Sequence, residues 1–303
     1  MIRLYDGVAP GTEDLLIAEE SFEEPDKEGN IKQIVQHVTE PVMYEFLPEH
    51  PTKTAVIIVP GGAFRRQVMN QEGADVAKWF NSLGIAAYVL KQRLPIDEHS
   101  NRYDVILMDM QRAIRKVRNV HETVGVIGFS AGGYATALAS TGYDIDVKKL
   151  AGEGYVPDEA DELSARPDFT ILGYPAISLE VQTVAFAKKM GIDIAGCTIE
   201  QILLKAEELN CVPVHERAQL ERYNPAKMVT ADTPPAFIFE TDDDKTTPCE
   251  NSIEYYTALR KAGVCAELHI FAKGGHGFNL GAGKSAGQWK ELLVTWIKEN
   301  RLL

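Results

Sequence analysis

Residues 128–132 read Gly128-Phe129-Ser130-Ala131-Gly132, a G-x-S-x-G pentapeptide between an apolar run (124–127) and a helix-prone run (134–140). No other stretch limits the fold so strongly. The pattern suits a buried strand that turns sharply into a helix and presents one serine hydroxyl at the tip. The flanking glycines suit that crowded turn, because a β-carbon there collides with the neighbouring strand or helix. The helix that follows aims its first N–H groups and the positive end of its dipole at the serine. The pentapeptide alone is a weak signal. Strand before and helix after strengthen it, provided suitable Asp and His residues follow in that order.

Strand-like and helix-like segments alternate from about residue 33 onward. Residues 34–38 and 42–47 predict two adjacent antiparallel strands near a sheet edge. Residues 55–59 are continuously apolar, as in a strand buried on both faces. A helix over 73–83, a strand over 85–90 and an amphipathic helix over 105–120 follow. After the elbow strand come strands at 169–172, 236–240 and 266–271, the last two bracketing a helix over 251–261. An amphipathic helix over 288–299 closes the chain. This is the pattern of an α/β fold: an eight-stranded, mostly parallel sheet with helices on both faces, in one domain spanning 1–303. Residues 178–222 break the alternation, with helical periodicity over 180–190 and 199–209 and no clear strand. Their place after the sixth strand predicts a helical cap above the active-site face, although a packing or oligomer-contact hairpin fits the same pattern. The first 30 residues, acidic over 19–28, predict a surface arm.

With 303 residues, 45% of them hydrophobic, the chain has material for a large core. A net charge of −13 argues against nucleic acid or an anionic membrane as partner, since either calls for a basic patch. Cys197, Cys211, Cys249 and Cys265 lack metal-binding or C-x-x-C spacing and read as reduced thiols. Arg3, Asp6, Glu13 and Asp14 interrupt the amino-terminal apolar residues, and no apolar run approaches the ~18 residues of a membrane span. These features predict a cytoplasmic protein. With no P-loop, dinucleotide fingerprint or metal cluster, the sequence predicts neither cofactor nor metal.

A serine hydroxyl needs a base to take its proton, and the base needs a carboxylate to fix its tautomer. Three histidines lie after the elbow with acids in between: His215, His269 and His276. His269 belongs to an alternating strand and reads as structural. His215 lies in the insertion and reads as exposed. His276 stands in Gly274-Gly275-His276-Gly277-Phe278, just past the last strand, where loops meet the active-site face. The acid comes from the loop Thr241-Asp242-Asp243-Asp244-Lys245-Thr246-Thr247-Pro248, where spacing separates Asp244 from Asp243 only slightly and the remaining aspartates cap the next helix or stay solvated. Donors for a developing oxyanion are expected from Gly62 and Ala63, in Pro60-Gly61-Gly62-Ala63-Phe64, and from the N–H of Ala131. Phe64 is a candidate for substrate contact, and Tyr174 either lines an acyl pocket or simply packs. Glu72 reads as a capping or loop contact, and Asp109, Arg112 and Arg115 as a salt-bridged helix face. The substrate these residues suit is a small-molecule ester.

Together these residues resemble the α/β-hydrolase superfamily, and more narrowly its acetyl esterase/lipase branch around acetylxylan esterases and hormone-sensitive-lipase-type esterases. The likeness runs through Leu4 to Gly11, Val59 to Phe64, Glu72-Gly73 with Trp79, Gly84 to Lys91, Arg93-Leu94-Pro95 and Gly128 to Gly133. It continues in Thr233-Pro234-Pro235, Asp243-Asp244, Pro248 with Glu250-Asn251-Ser252, and Lys273 to Phe278. Only 178–222 stands apart. The resemblance implies Ser130 as nucleophile, Asp244 as the acid (the second of the paired aspartates) and His276 as base. It also implies removal of short acyl groups, acetyl foremost, from carbohydrates. Pro60 stands where the branch has the histidine of H-G-G-G, and Ala63 where it has the third glycine; backbone donors survive both changes, with a tighter acyl pocket. A prolyl-oligopeptidase-type peptidase shares this fold and triad but usually carries a large propeller, for which 303 residues leave no length. A non-catalytic binding module would not need the complete triad.

Overall fold

The computed structural model describes residues 1–302 except 27, 102, 103, 153, 154, 190, 192, 199, 203 and 205–222. Its strands are β1 (Ile2–Arg3), β2 (Glu20–Pro25), β3 (Ile31–Gln36), β4 (Val42–Phe46), β5 (Thr54–Val59), β6 (Gln67–Val68), β7 (Ala86–Lys91), β8 (Thr123–Phe129), β9 (Phe169–Gly173), β10 (Ala236–Thr241) and β11 (Ala266–Phe271). Eight of them form one sheet in the order β1-β4-β7-β5-β8-β9-β10-β11. Every pairing from β7 to β11 is parallel, and β4 and β1 extend the β7 edge antiparallel. The helices are α1 (Asp75–Ser82), α2 (Val105–Arg118), α3 (Ala131–Thr141), α4 (Val147–Ala151), α5 (Leu179–Lys189), α6 (Pro225–Met228), α7 (Glu250–Lys261) and α8 (Trp289–Glu299). Among the described residues no helix is long and apolar enough to cross a membrane.

The apolar run in β5 is continuous because each face of the sheet is covered. Ala55, Ile57 and Val59 point into a core with α2 and α3, while Val56 and Ile58 point into a second core with α1 and α8. All eleven residues of α3 are buried. Its small side chains, Ala, Gly, Ser and Thr, let it lie close to the sheet. The elbow serine is therefore held between a central strand and a buried helix.

Two expectations about the amino-terminal region are corrected. Residues 34–38 do not pair with the strand that follows them. The segment forms β3, antiparallel to β2 and β6 in a separate three-stranded sheet, and β1 supplies the eighth strand of the large sheet. Apolar patterning marks a strand but carries no address for its partner, which distant contacts select. Nor are the first 30 residues merely a surface arm. Leu4 is fully buried, and its carbonyl accepts from Arg112 Nε at 2.8 Å. The Arg93 guanidinium reaches the Pro10 carbonyl, and Lys91 Nζ holds Glu19 at 2.6 Å. In the region predicted to be a cap, α5 matches the first expected helix. Most of the second, over 199–209, lies outside the described residues, as does His215.

Candidate active site

Ser130 adopts φ 53 and ψ −118, a backbone conformation that L side chains seldom take and that the surrounding packing must hold. A β-carbon on Gly132 would sit 2.0 Å from the Val59 carbonyl oxygen, and one on Gly128 would sit 2.1 Å from the Gly132 oxygen. Both glycines are thus required by close approach within the elbow. Ser130 N–H donates to Gly173 O at 3.0 Å, and Ser130 O accepts from Ala176 N at 3.0 Å, tying the turn to the end of β9.

His276 Nε2 lies 3.0 Å from Ser130 Oγ, and its Nδ1 lies 2.7 Å from Asp244 Oδ2. The three side chains singled out from the sequence thus come together across 146 residues of chain. Burial pushes the Asp244 carboxyl up, but hydrogen bonds from His276 and from the N–H groups of Thr246 and Thr247 outweigh it and hold the group below its ordinary value. Those two N–H groups reach Oδ1 at 2.7 and 2.9 Å. Thr247 Oγ1 adds a contact to Oδ2 at 2.8 Å, and it also lies 2.9 Å from His276 Nδ1. Thr247 was not singled out from the sequence; its place three residues after the acid is the one signal that pointed to it.

Asp242 is exposed, as the reading of the spare aspartates expected, whereas Asp243 caps no helix and is only partly exposed. Its Oδ1 accepts the N–H groups of Gly274 and Gly275 at 2.9 and 2.8 Å, pinning the loop that carries His276. Beneath the acid, Glu240 is buried at the end of β10. Burial, reinforced by the Asp244 charge, pushes its carboxyl up to about 9, so it is neutral at pH 7.

Across the elbow, the loop after β5 folds back on itself. Gly62 lies at φ 150, where a β-carbon would meet the Arg66 oxygen at 1.9 Å, and its carbonyl accepts from Arg65 and Arg66 N–H, each at 3.2 Å. Ala63 and Phe64 follow at φ 58 and 61, two consecutive left-handed residues. Gly61 N–H is taken by Glu72 Oε2 at 2.7 Å, whereas among the described residues the N–H groups of Gly62 and Ala63 have no acceptor. Ala131 N–H, first of α3, has none within its helix. Ala63 is exposed, and Phe64 is half-buried against Tyr134 with ring centroids 5.4 Å apart. Tyr174 is fully buried and presents no surface to a substrate. Its hydroxyl donates to Glu72 Oε1 at 2.8 Å, and its ring stands edge-on to His276 at 5.0 Å.

Elsewhere, His269 Nε2 contacts Glu267 at 3.0 Å on β11, away from the elbow. Asp109, Arg112 and Arg115 are salt-bridged as expected, but their bridges face inward. Asp109 pairs with the fully buried Arg93 at 2.7 Å, and Arg112 and Arg115 reach Asp161 at 3.2 and 3.7 Å.

A strained serine at a strand-to-helix turn, with Asp244 and His276 following in that order, is the arrangement of the α/β-hydrolase fold, which this chain has. Residues 198–301, which include Asp244 and His276, match the prolyl oligopeptidase family model. The chain is 31% identical over 268 residues to an acetylxylan esterase of Xylanibacter ruminicola, covering 84% of this chain and 47% of that protein. It is 28% identical over 257 residues to endo-1,4-beta-xylanase B of Butyrivibrio fibrisolvens, covering 82% and 36%. This chain therefore spans less than half the length of these two relatives. Its fold is similar to the crystal structure of an acetyl ester-xyloside bifunctional hydrolase from Caldicellulosiruptor lactoaceticus, with a TM-score of 0.67, 28% identity, and coverage of 100% of this chain and 97% of that one.

Proposed function

We propose that this chain is a serine carboxylesterase that removes short acyl groups, acetyl foremost, from acylated saccharides such as xylan oligosaccharides. The observation that carries the reading is the contact chain from Ser130 Oγ to His276 Nε2 at 3.0 Å and from His276 Nδ1 to Asp244 Oδ2 at 2.7 Å. Ser130 Oγ attacks the ester carbonyl while His276 takes its proton. The carbonyl oxygen gains the negative charge and is held by the N–H groups of Ala131, Gly62 and Ala63. The alkoxide leaves with the proton from His276, and water, deprotonated by the same imidazole, then releases the acyl group as its acid. The names of the relatives support an acyl saccharide as substrate.

Ser130→Ala should lower ester hydrolysis by several orders of magnitude in a folded protein, leaving roughly 10³-fold over water from the remaining donors and binding. An organophosphonate probe should label Ser130 in the wild type and nothing in the variant. Near wild-type turnover by pure Ser130→Ala would sink the assignment. The prolyl oligopeptidase match over 198–301 favours a peptidase as second reading. Acetylated xylo-oligosaccharides assayed beside a prolyl-peptide substrate decide between the two.

A further inference from the structure

Glu72 stands outside the Ser130–His276–Asp244 series, yet its carboxylate touches both halves of the site. It lies in the wide π-type turn Asn70–Ala74 that precedes α1, a distortion frequent at functional sites, and it is buried at 6% exposure. One oxygen accepts the N–H of Gly61, the residue immediately before the donors Gly62 and Ala63. The packing there is close: a β-carbon on Gly61 would lie 2.8 Å from Glu72 Oε2 and 2.9 Å from Ser130 Cβ. The other oxygen accepts from Tyr174, whose ring abuts His276 and whose carbonyl lies 3.1 Å from Thr247 Oγ1. Tyr174 itself is held at φ 36, so its placement depends on such contacts. Asn279 Oδ1 lies 3.1 Å from the same hydroxyl, and its amide donates to Gln71 Oε1 at 3.3 Å, bracing the Glu72 turn against the loop after His276.

We propose that Glu72 is a positioning residue of this site, an ionised carboxylate that holds the oxyanion loop against Ser130 and, through Tyr174, buttresses the imidazole of His276. The proposal rests on the esterase reading above. Two donors facing one carboxylate is the arrangement its ionised form accepts. Burial is the largest influence and leaves the group above its ordinary value, although the Tyr174 hydroxyl, the Gly61 N–H and the charges of His276 and Lys32 pull it back. Asp244 is the other anion facing Tyr174. An anion at Glu72 also stabilises the imidazolium that forms as Ser130 attacks.

The test compares wild type, Glu72→Gln and Tyr174→Phe, with active sites titrated by the organophosphonate so that kcat refers to competent enzyme only. Glu72→Gln keeps the shape and removes the charge. Its kcat per titrated site should fall about 10- to 100-fold with KM within about threefold, because donors misplaced by the loop act in the transition state. The acidic limb of kcat/KM should move to lower pH, since an anion that favours the protonated imidazole is gone. Tyr174→Phe should also lose kcat per site, by less. A merely structural role would lower the melting temperature and the titratable fraction, leaving kcat per site and the limb where they were; that result overturns the proposal. If Glu72→Gln fails to fold, Tyr174→Phe decides, and wild-type kcat per site in it is equally fatal. A wild type neither labelled at Ser130 nor active overturns the esterase reading and this proposal with it. A labelled, active wild type beside an unchanged Glu72→Gln overturns this proposal alone.

Discussion

Asp243 and Asp244 are neighbours in sequence and serve different atoms. Asp244 meets the imidazole; Asp243 meets the backbone of the loop that carries it. Asp244→Asn should lower kcat by about 10⁴-fold, because an amide neither stabilises the imidazolium nor holds the right tautomer. Asp243→Asn keeps an oxygen for Gly274 and Gly275 and should cost no more than about tenfold. Parallel kinetics on the two variants check this, and a reversed order would shift the acid by one residue. Glu240 makes a separate prediction about stability. Its ordinary value is 4.5, and in the fold it rises to about 9. Between those limits folding takes up a proton, so the stability this group contributes is fully present below pH 4.5 and is lost as pH rises toward 9. The loss is at most about 1.4 kcal/mol per pH unit. Glu240→Gln retains an oxygen for the Thr241 N–H and never ionises. Its advantage over wild type in urea unfolding should therefore widen from pH 5 to pH 9, and a gap independent of pH would show that Glu240 is charged in the fold. Asp244 has the opposite sign, its contribution being lost as pH falls through its lowered value.

Among the elements, the strand–elbow–helix unit of β8 and α3 is the least tolerant of change. A methyl on Gly132 has nowhere to go, because the Val59 oxygen that it meets belongs to the backbone of an interior strand. Gly132→Ala should destabilise the fold by about 3 kcal/mol or more and displace Ser130. Denaturant midpoints measure the first effect and phosphonate labelling rate the second; a well-folded, fully labelled Gly132→Ala would mean that the elbow can open. The interior strands were legible because apolar runs buried on two faces leave an unambiguous pattern, and helices α2, α7 and α8 because their apolar stripes recur at helical spacing. The strand β3 was legible as a strand only. Ile34 and Val35 are both buried, and the partners that bury them come from residues 20–25 and 67–68, which carry no matching signal in local sequence.

At the scale of the whole molecule, the site is assembled by the sheet. Parallel β5, β8, β9, β10 and β11 end on one edge, and the loops after them carry Gly62 and Ala63, Ser130, Tyr174, Asp244 and His276 in that order. The short-acyl reading proposed above predicts that acetyl and propionyl esters are preferred over octanoyl ones. Pocket discrimination is limited to about 1–3 kcal/mol per methylene, which predicts a gradual decline in kcat/KM across p-nitrophenyl acetate, butyrate and octanoate. A rise toward octanoate would instead indicate a lipase-like acyl pocket. The interior strands, the strand-to-helix turn at Ser130 and the place of His276 on a loop past the last strand were readable along the chain, because each depends on residues close in sequence: a pentapeptide, an apolar run, a glycine-rich loop past a strand. Tertiary structure alone decided that Glu72 joins Gly61 to Tyr174, that Asp243 pins Gly274 and Gly275, and that Ile2 and Arg3 complete the large sheet. Those contacts link segments separated by up to 102 residues. A polar side chain carries no local mark of which distant backbone group it will satisfy; burial imposes the need for a partner, and only the packed chain supplies one.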